Sequence, residues 1–489
     1  MNPVDYLQIL RLAAPETIVT VTMLAVLAVD LTVLRGRSLT MRFRFGAMLS
    51  VLGCAIAGIY AFGRQDHFDL LNGILLMDPQ TDFVKVAILA LSIFTILIST
   101  GGKFTDHVGE YLSLILLGTV GLMFLVSAGD LLMIFVSLEL ASLTLYILTA
   151  FNKRNVRSSE AALKYFLFGG TSAAFLLFGF SLLYGVAGST NLNEIAHNLA
   201  GKSLDPLLLV ALVMTIIGFG FKVAAVPFHL WAPDAYEGAP TPSAAFIGAG
   251  SKVASFFVLA RILSIGFAGS PGSAVWHGYA SGWMPVIAVI SALSMVLGNL
   301  TAIVQSSVKR LLAYSAIAHA GYMLLGVLSN TIPGQNALMF YVITYGLTVI
   351  GAFGVVTVIE EATGGDALKN FAGLSRRAPL LALCLLVFLL SLGGIPPLAG
   401  FVGKFFLFSA AVGADETHLG LLWLVILAVA MSAVSFYYYL RVLKQAYVED
   451  APDGAPAIRV PVITLAALLV LAALVVVLGC APGLLTRYL

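Results

Sequence analysis

The chain has 489 residues, 60% of them hydrophobic and only 10% charged, with a formal net charge of +2 and a mean hydropathy of +1.01. Soluble domains carry roughly 25% charged residues, so this composition excludes a soluble globular protein. No nucleic-acid partner is expected.

A spanning helix needs about 20 apolar residues, and hydropathy predicts about fourteen such segments. In chain order they lie near 15–34, 43–63, 80–100, 108–127, 129–151, 158–187, 206–230, 241–265, 283–303, 309–329, 335–360, 379–414, 419–445 and 458–480. The apolar runs are continuous and do not alternate, which favours helices over a membrane barrel. The N-terminus lacks a basic region followed by a cleavage site, so the first segment is expected to be retained as a span.

Basic residues set the expected orientation. With the N-terminus outside, the loops assigned inside hold 16 of the 26 Lys and Arg, whereas only Arg11, Arg64, Lys202 and Arg487 fall outside. This split follows the positive-inside rule and predicts that both termini face the outer compartment. The alternation also requires an even number of spans.

Cys54, Cys384 and Cys480 are scattered through apolar segments. They form no CxxC and no iron–sulfur spacing. Each is expected to be a small buried hydrophobe. There is no strand-linked G-x-G-x-x-G and no Walker A motif, so no cofactor and no metal is expected in this chain.

Two blocks of five spans, four to eight and nine to thirteen, suggest a repeat. An odd number of helices per repeat turns the second copy upside down, the inverted symmetry common in transporters. The fourth span of each block is interrupted, by Pro227 in VAAVPFHLWAP and by Pro396 and Pro397 in GGIPPLAG. Proline inside a helix frees carbonyls, which at membrane depth must line a cavity or be buried in protein. The expected architecture is therefore an all-α polytopic membrane protein. It has an N-terminal three-helix segment (1–107), a first repeat (108–265), a second, inverted repeat (283–445) and a C-terminal helix (458–489).

Charges sit inside these spans, where each costs several kcal/mol or more unless water or snorkelling relieves it. Glu139 lies in LLMIFVSLELASLTLYILTAF, Lys222 in MTIIGFGFKVAAV, Lys252 in FIGAGSKVASFF and Lys404 just past the second break. A structural ion pair would explain one of them. Four at mid-segment point to charge movement, because burial and neighbouring charge tune the proton affinity of carboxylates and amines. Lys164 is two turns into its helix and could snorkel to the inner interface or take part in the path. His229, beside the first break, and His319, in AYSAIAHAGYM, are either satisfied core histidines or relay groups. Lys85 and Arg261 lie near span ends, and snorkelling is the expected reading. Asp234 and Glu237 are expected in an inner loop, guiding protons or capping the next helix.

Several stretches together resemble subunit N of proton-pumping NADH:quinone oxidoreductase, respiratory complex I. They are FKVAAVPFHLWAPDAYEGAPTP, SSVKRLLAYSAIAHAGYMLLG, LLSLGGIPPLAGFVGKFFLFSAAV, SLELASLTLYILTAF and FYYYLRVL, and they cover the chain from about residue 75 onward. Lysine at 404, where subunit M of that enzyme has glutamate, favours subunit N, as does the short C-terminus. The resemblance implies that Glu139 and Lys222 form the family's ion pair. Lys252 and Lys404 match its central and exit-side lysines, and Lys164 the lysine linking toward the inner surface. It also implies that NADH, FMN, iron–sulfur clusters and quinone belong to partner subunits. Further antiporter-like membrane-arm subunits and membrane lipids would be the neighbours. The rival expectations are a subunit of a multi-chain sodium/proton antiporter, and a scaffold whose charges only hold helices together.

Overall fold

The structure, a computed structural model, describes residues 10–11, 13–64, 68–70, 73–201, 205–276, 278–414, 420–452, 454–455 and 458–489. Lys202 lies outside them.

The N-terminal helices are α1 (Ala14–Leu31), α2 (Leu39–Phe62) and α3 (Pro79–Ser99), with a small antiparallel hairpin, β1 (Phe68–Leu70) and β2 (Leu75–Met77), before the third. There follow α4 (Val108–Ser127), α5 (Leu131–Thr149), α6 (Val156–Ala187), a short α7 (Leu192–Leu199) and α8 (Pro206–Lys222). Beyond a break come α9 (Trp231–Gly238), α10 (Thr241–Arg261), α11 (Trp283–Ile303), α12 (Val308–Ser329) and α13 (Ile332–Thr363). The last part holds α14 (Leu374–Arg377), α15 (Pro379–Gly393), α16 (Ala399–Gly413), α17 (Leu422–Tyr447), α18 (Val462–Cys480) and α19 (Gly483–Thr486).

Among the described residues, 12 helices are long and apolar enough to cross a membrane, and α8, α15 and α16 are shorter apolar helices. These three fall in the two proline-broken spans, 206–230 and 379–414, which reconciles the 12 unbroken helices with the hydropathy pattern. The chain is an integral membrane protein.

Helix starts follow local chemistry. Asp78, Asp130, Asp205 and Thr331 each accept a hydrogen bond from an N–H in the first turn of the helix that follows. Such caps satisfy donors that lipid cannot. Burial then sorts the helices. The spanning window of α13 is buried throughout, and those of α10 and α12 are 94% buried, whereas α1 and α17 are only 33% buried. The polar-bearing helices α10 and α12 therefore form the centre, packed on α13.

Three expectations change here. Lys85 does not snorkel: its side chain is fully buried, 2.8 Å from Glu16 and 3.4 Å from Asp82, both also buried. Two carboxylates offer an ammonium more than a distant interface does. Arg261 likewise stays inside, 3.8 Å from Asp78 and donating to the Val126 carbonyl and the Thr81 hydroxyl. Cys54 and Cys384 are buried as expected, but Cys480 is exposed, because it ends α18, which is covered on one side only.

Candidate functional site: a buried row of charges

The first break begins where α8 ends at Lys222. Ala224 has a positive φ of 57°, and the chain runs through a cis Val226–Pro227 bond. The Val226 N–H donates to the Ser294 hydroxyl at 2.9 Å and the Trp231 indole to the Phe221 carbonyl at 2.9 Å. Side chains thus supply partners that the interrupted helix has lost.

Lys222 occupies the carbonyl-rich end of α8, where the helix dipole favours a cation. Its Nζ lies 3.8 Å from Glu139 Oε1 and donates to the Ser142 hydroxyl. The rings of Phe221 and Tyr146 stand 5.3 and 5.8 Å from it. Glu139 and Ser142 are three residues apart on α5, so one helical face presents both to the lysine. Glu139 Oε1 is buried with no hydrogen-bond partner; the pair is a charge contact, not a closed hydrogen bond. Glu139 keeps 23% of its side chain exposed, and Leu132, Val136, Leu143 and Ile147 on the same side of α5 are exposed.

Lys252 lies on α10, 1% exposed. It donates to the Ala316 carbonyl of α12 and stands 5.4 Å from the Tyr345 ring. One turn past Ala316, His319 is 1% exposed. Its Nδ1 lies 2.6 Å from the Tyr341 hydroxyl and its Nε2 3.2 Å from the Tyr439 hydroxyl. The Tyr322 ring touches both His319, at a centroid distance of 5.6 Å, and Lys404, at 5.0 Å. Lys252, His319 and Lys404 are thus bridged by tyrosines.

The second break mirrors the first in part. α15 ends at Gly393 and is capped by Gly394 with a φ of +86°; the absent Cβ leaves room for the Lys404 stem, since a Cβ there would sit 3.2 Å from its Cδ. A cis Pro396–Pro397 bond follows. Lys404 comes from α16 and reaches back, donating to the carbonyls of Leu392 (3.0 Å) and Gly393 (3.3 Å) and to the Ser432 hydroxyl (2.8 Å). The two carbonyls belong to the end of α15, so here too the cation meets the negative end of a half-helix. A cleft of about 440 Å³ opens beside it, walled by Phe401, Phe405 and Phe436. Neither Lys252 nor Lys404 has a carboxylate in ion-pair range among the described residues.

Lys164 is not central. It is 43% exposed and holds Glu160 at 2.8 Å and Asp234 at 2.9 Å. Asp234 and Glu237, on α9 and not in an open loop, each accept from Arg310 at 2.8 Å. His229 makes no ion pair among the described residues, and its buried Nδ1 has no partner; it is not joined to the lysines. Ser142, Tyr322, Tyr341, Tyr345 and Tyr439 were not foreseen. The stretches FYYYLRVL, SSVKRLLAYSAIAHAGYMLLG and SLELASLTLYILTAF contain Tyr439, Tyr322 and Ser142, whereas Tyr341 and Tyr345, in an apolar helix outside them, gave no signal.

Discontinuous helices whose broken ends meet buried, ionisable side chains define a class: polytopic α-helical membrane proteins built to pass ions. The family described as "NADH:quinone oxidoreductase/Mrp antiporter, TM" matches residues 128–434, and the chain belongs to it. It is 53% identical over its whole length, and the whole of the relative, to NADH-quinone oxidoreductase subunit N 2 of Acidobacterium capsulatum. Its fold matches a chain of respiratory complex I from Thermus thermophilus with a TM-score of 0.78 at 33% identity, covering 97% of this chain and 98% of that one. A chain of the Mrp complex from a Dietzia species matches with a TM-score of 0.83 at 21% identity, covering 98% and 96%; that likeness concerns the fold alone.

Proposed function

We propose that protons cross the membrane along Glu139, Lys222, Lys252, His319 and Lys404, with Lys164 linking the row to the inner surface. The chain is a proton-translocating membrane-arm subunit of NADH:quinone oxidoreductase, a multi-subunit translocase, with other antiporter-like subunits as neighbours. Electron transfer, with its NADH, FMN, iron–sulfur clusters and quinone, belongs to partner chains in this reading. The membrane is the bacterial inner membrane, and both termini face the periplasm.

One contrast carries the proposal. Lys85, buried as deeply as the others, is neutralised by Glu16 and Asp82, as a structural cation should be. Lys252 and Lys404 lean only on carbonyls, a hydroxyl and aromatic faces. A permanent charge held that way is costly, so these amines are suited to exchanging protons. At the Glu139 end, the row can be modulated by a neighbouring subunit, because Glu139 lies on the exposed side of α5. A charge change there would open or close the contact with Lys222 and so alter that lysine's hold on its proton. The two similar breaks support the reading of two inverted five-helix repeats (108–265 and 283–445) flanked by an N-terminal segment (1–107) and a C-terminal helix (458–489). His229, unlinked to the lysines, is assigned a place near the first break without a relay role.

Purification from native membranes tests the assignment. Co-purification with flavin- and iron–sulfur-bearing subunits is expected. A set made only of cation-transporter chains would favour the sodium/proton antiporter instead.

A further inference from the structure

The face assigned to the outside carries only four basic residues, yet two of them, Arg64 and Arg487, line one cleft there. Arg64 follows α2, Arg487 follows α19, and the Arg11 carbonyl accepts from the Tyr60 hydroxyl at 3.4 Å. The Arg64 guanidinium also stands 5.4 Å from the Tyr60 ring. Segments about 420 residues apart in sequence thus bring cations together on the side where the membrane rule keeps them scarce.

Between Arg64 and Arg487 lies a cleft of about 550 Å³, whose other walls include Phe62, Phe83, Asp82 and Tyr488. Its shape is fixed by aromatic packing. Tyr488 stacks on Phe83 at 5.5 Å and meets Phe62 edge-on at 5.4 Å. Aromatic rings at a helix end mark the membrane–water interface. The one acidic wall is already engaged: Asp82 lies 3.4 Å from Lys85 and 3.8 Å from Arg64. Arg64 also donates to the Met77 sulfur at 3.3 Å, which leaves most of its five N–H donors unused. Arg487 is exposed, stands over the Tyr488 ring at 4.7 Å and forms no ion pair among the described residues.

We propose that this cleft binds the phosphodiester headgroup of an anionic phospholipid, with Arg487 and Arg64 clamping its oxygens and Phe62, Phe83 and Tyr488 lining the start of its chains. Planar guanidinium groups suit such oxygens, and the position at the span ends puts the group at headgroup depth. The site tethers the short C-terminal segment to the N-terminal helices through a lipid. It is independent of the proton route, since none of its residues belongs to the buried row.

The test uses the complete complex in nanodiscs containing photoactivatable phosphatidylglycerol, with photoactivatable phosphatidylcholine as the neutral control, and reads labelled peptides by mass spectrometry. Phosphatidylglycerol is expected to label the segments around Arg64 and Arg487 several times more than phosphatidylcholine. Arg487→Gln should lower that labelling roughly fivefold, the factor set by one interfacial cation, while Arg487→Lys keeps most of it. Millimolar inorganic phosphate should not compete. Equal labelling by both lipids, no effect of Arg487→Gln, or displacement by inorganic phosphate would each overturn the proposal. If Arg487→Gln fails to assemble, the preference between the two lipids on the unaltered complex decides.

Discussion

Lys222 and Glu139 stand 3.8 Å apart, and the lysine's hydrogen bond goes to Ser142 instead of to the carboxylate. The pair is therefore in electrostatic contact without being locked. Ser142 itself donates to the Leu138 carbonyl, so its oxygen is aimed at the ammonium by the helix that also carries Glu139. A small movement of α5 against α8 can make or break the contact.

Glu139→Gln is nearly isosteric and removes only the charge. Proton flux in reconstituted vesicles is expected to fall by tenfold or more, about 1.4 kcal/mol or greater in barrier terms, with the complex still assembled on native gels. Ser142→Ala should lower flux by a smaller factor. The double variant should lose less than the product of the two, since both act on one lysine. Wild-type flux in Glu139→Gln would remove the carboxylate from the path.

Lys404 separates relay from scaffold. Its ammonium has three acceptors, Leu392, Gly393 and Ser432, and arginine could fill the adjoining cleft and keep the charge. Arginine does not give up its proton in a protein. Lys404→Arg is therefore expected to impair turnover almost as much as Lys404→Ala. Full proton-coupled activity in the arginine variant, beside a collapsed alanine variant, would make Lys404 a structural cation.

Lys85 gives the opposite pattern. Removing it leaves Glu16 and Asp82 buried without their shared cation, which typically costs 3–5 kcal/mol. Lys85→Ala should lower the thermal midpoint of the complex or prevent its assembly. Replacing all three groups together with apolar residues should restore most of that stability. Flux per assembled complex is expected to stay near normal; a flux loss at normal stability would place the cluster in the proton path.

Orientation can be read by labelling. In a Cys480→Ser background, Thr40→Cys should react only with reagents reaching the inner compartment, and Ser281→Cys only from outside; both positions are exposed. The reverse pattern would invert every loop.

Hydropathy alone located the spans, because a bilayer forces about 20 apolar residues into each helix that crosses it. The two proline breaks and the charges beside them were equally plain, since Pro227, Pro396 and Pro397 cannot continue a helix ladder and a lysine in an apolar run is conspicuous. Sequence by itself thus determined an all-α membrane protein with four suspect charges and two interrupted helices. What it could not determine is partnership. Lys85, near a span end, read as a snorkelling amine, and what holds it inside is Glu16, about 70 residues earlier, which only the packing of α1 against its neighbours brings to 2.8 Å. Likewise His319 reaches Tyr439 across 120 residues, and Lys222 finds Ser142 across 80. Local chemistry writes helices and their ends into the chain. Whether a buried charge is neutralised or left to exchange its proton depends on which distant side chains the tertiary structure sets around it.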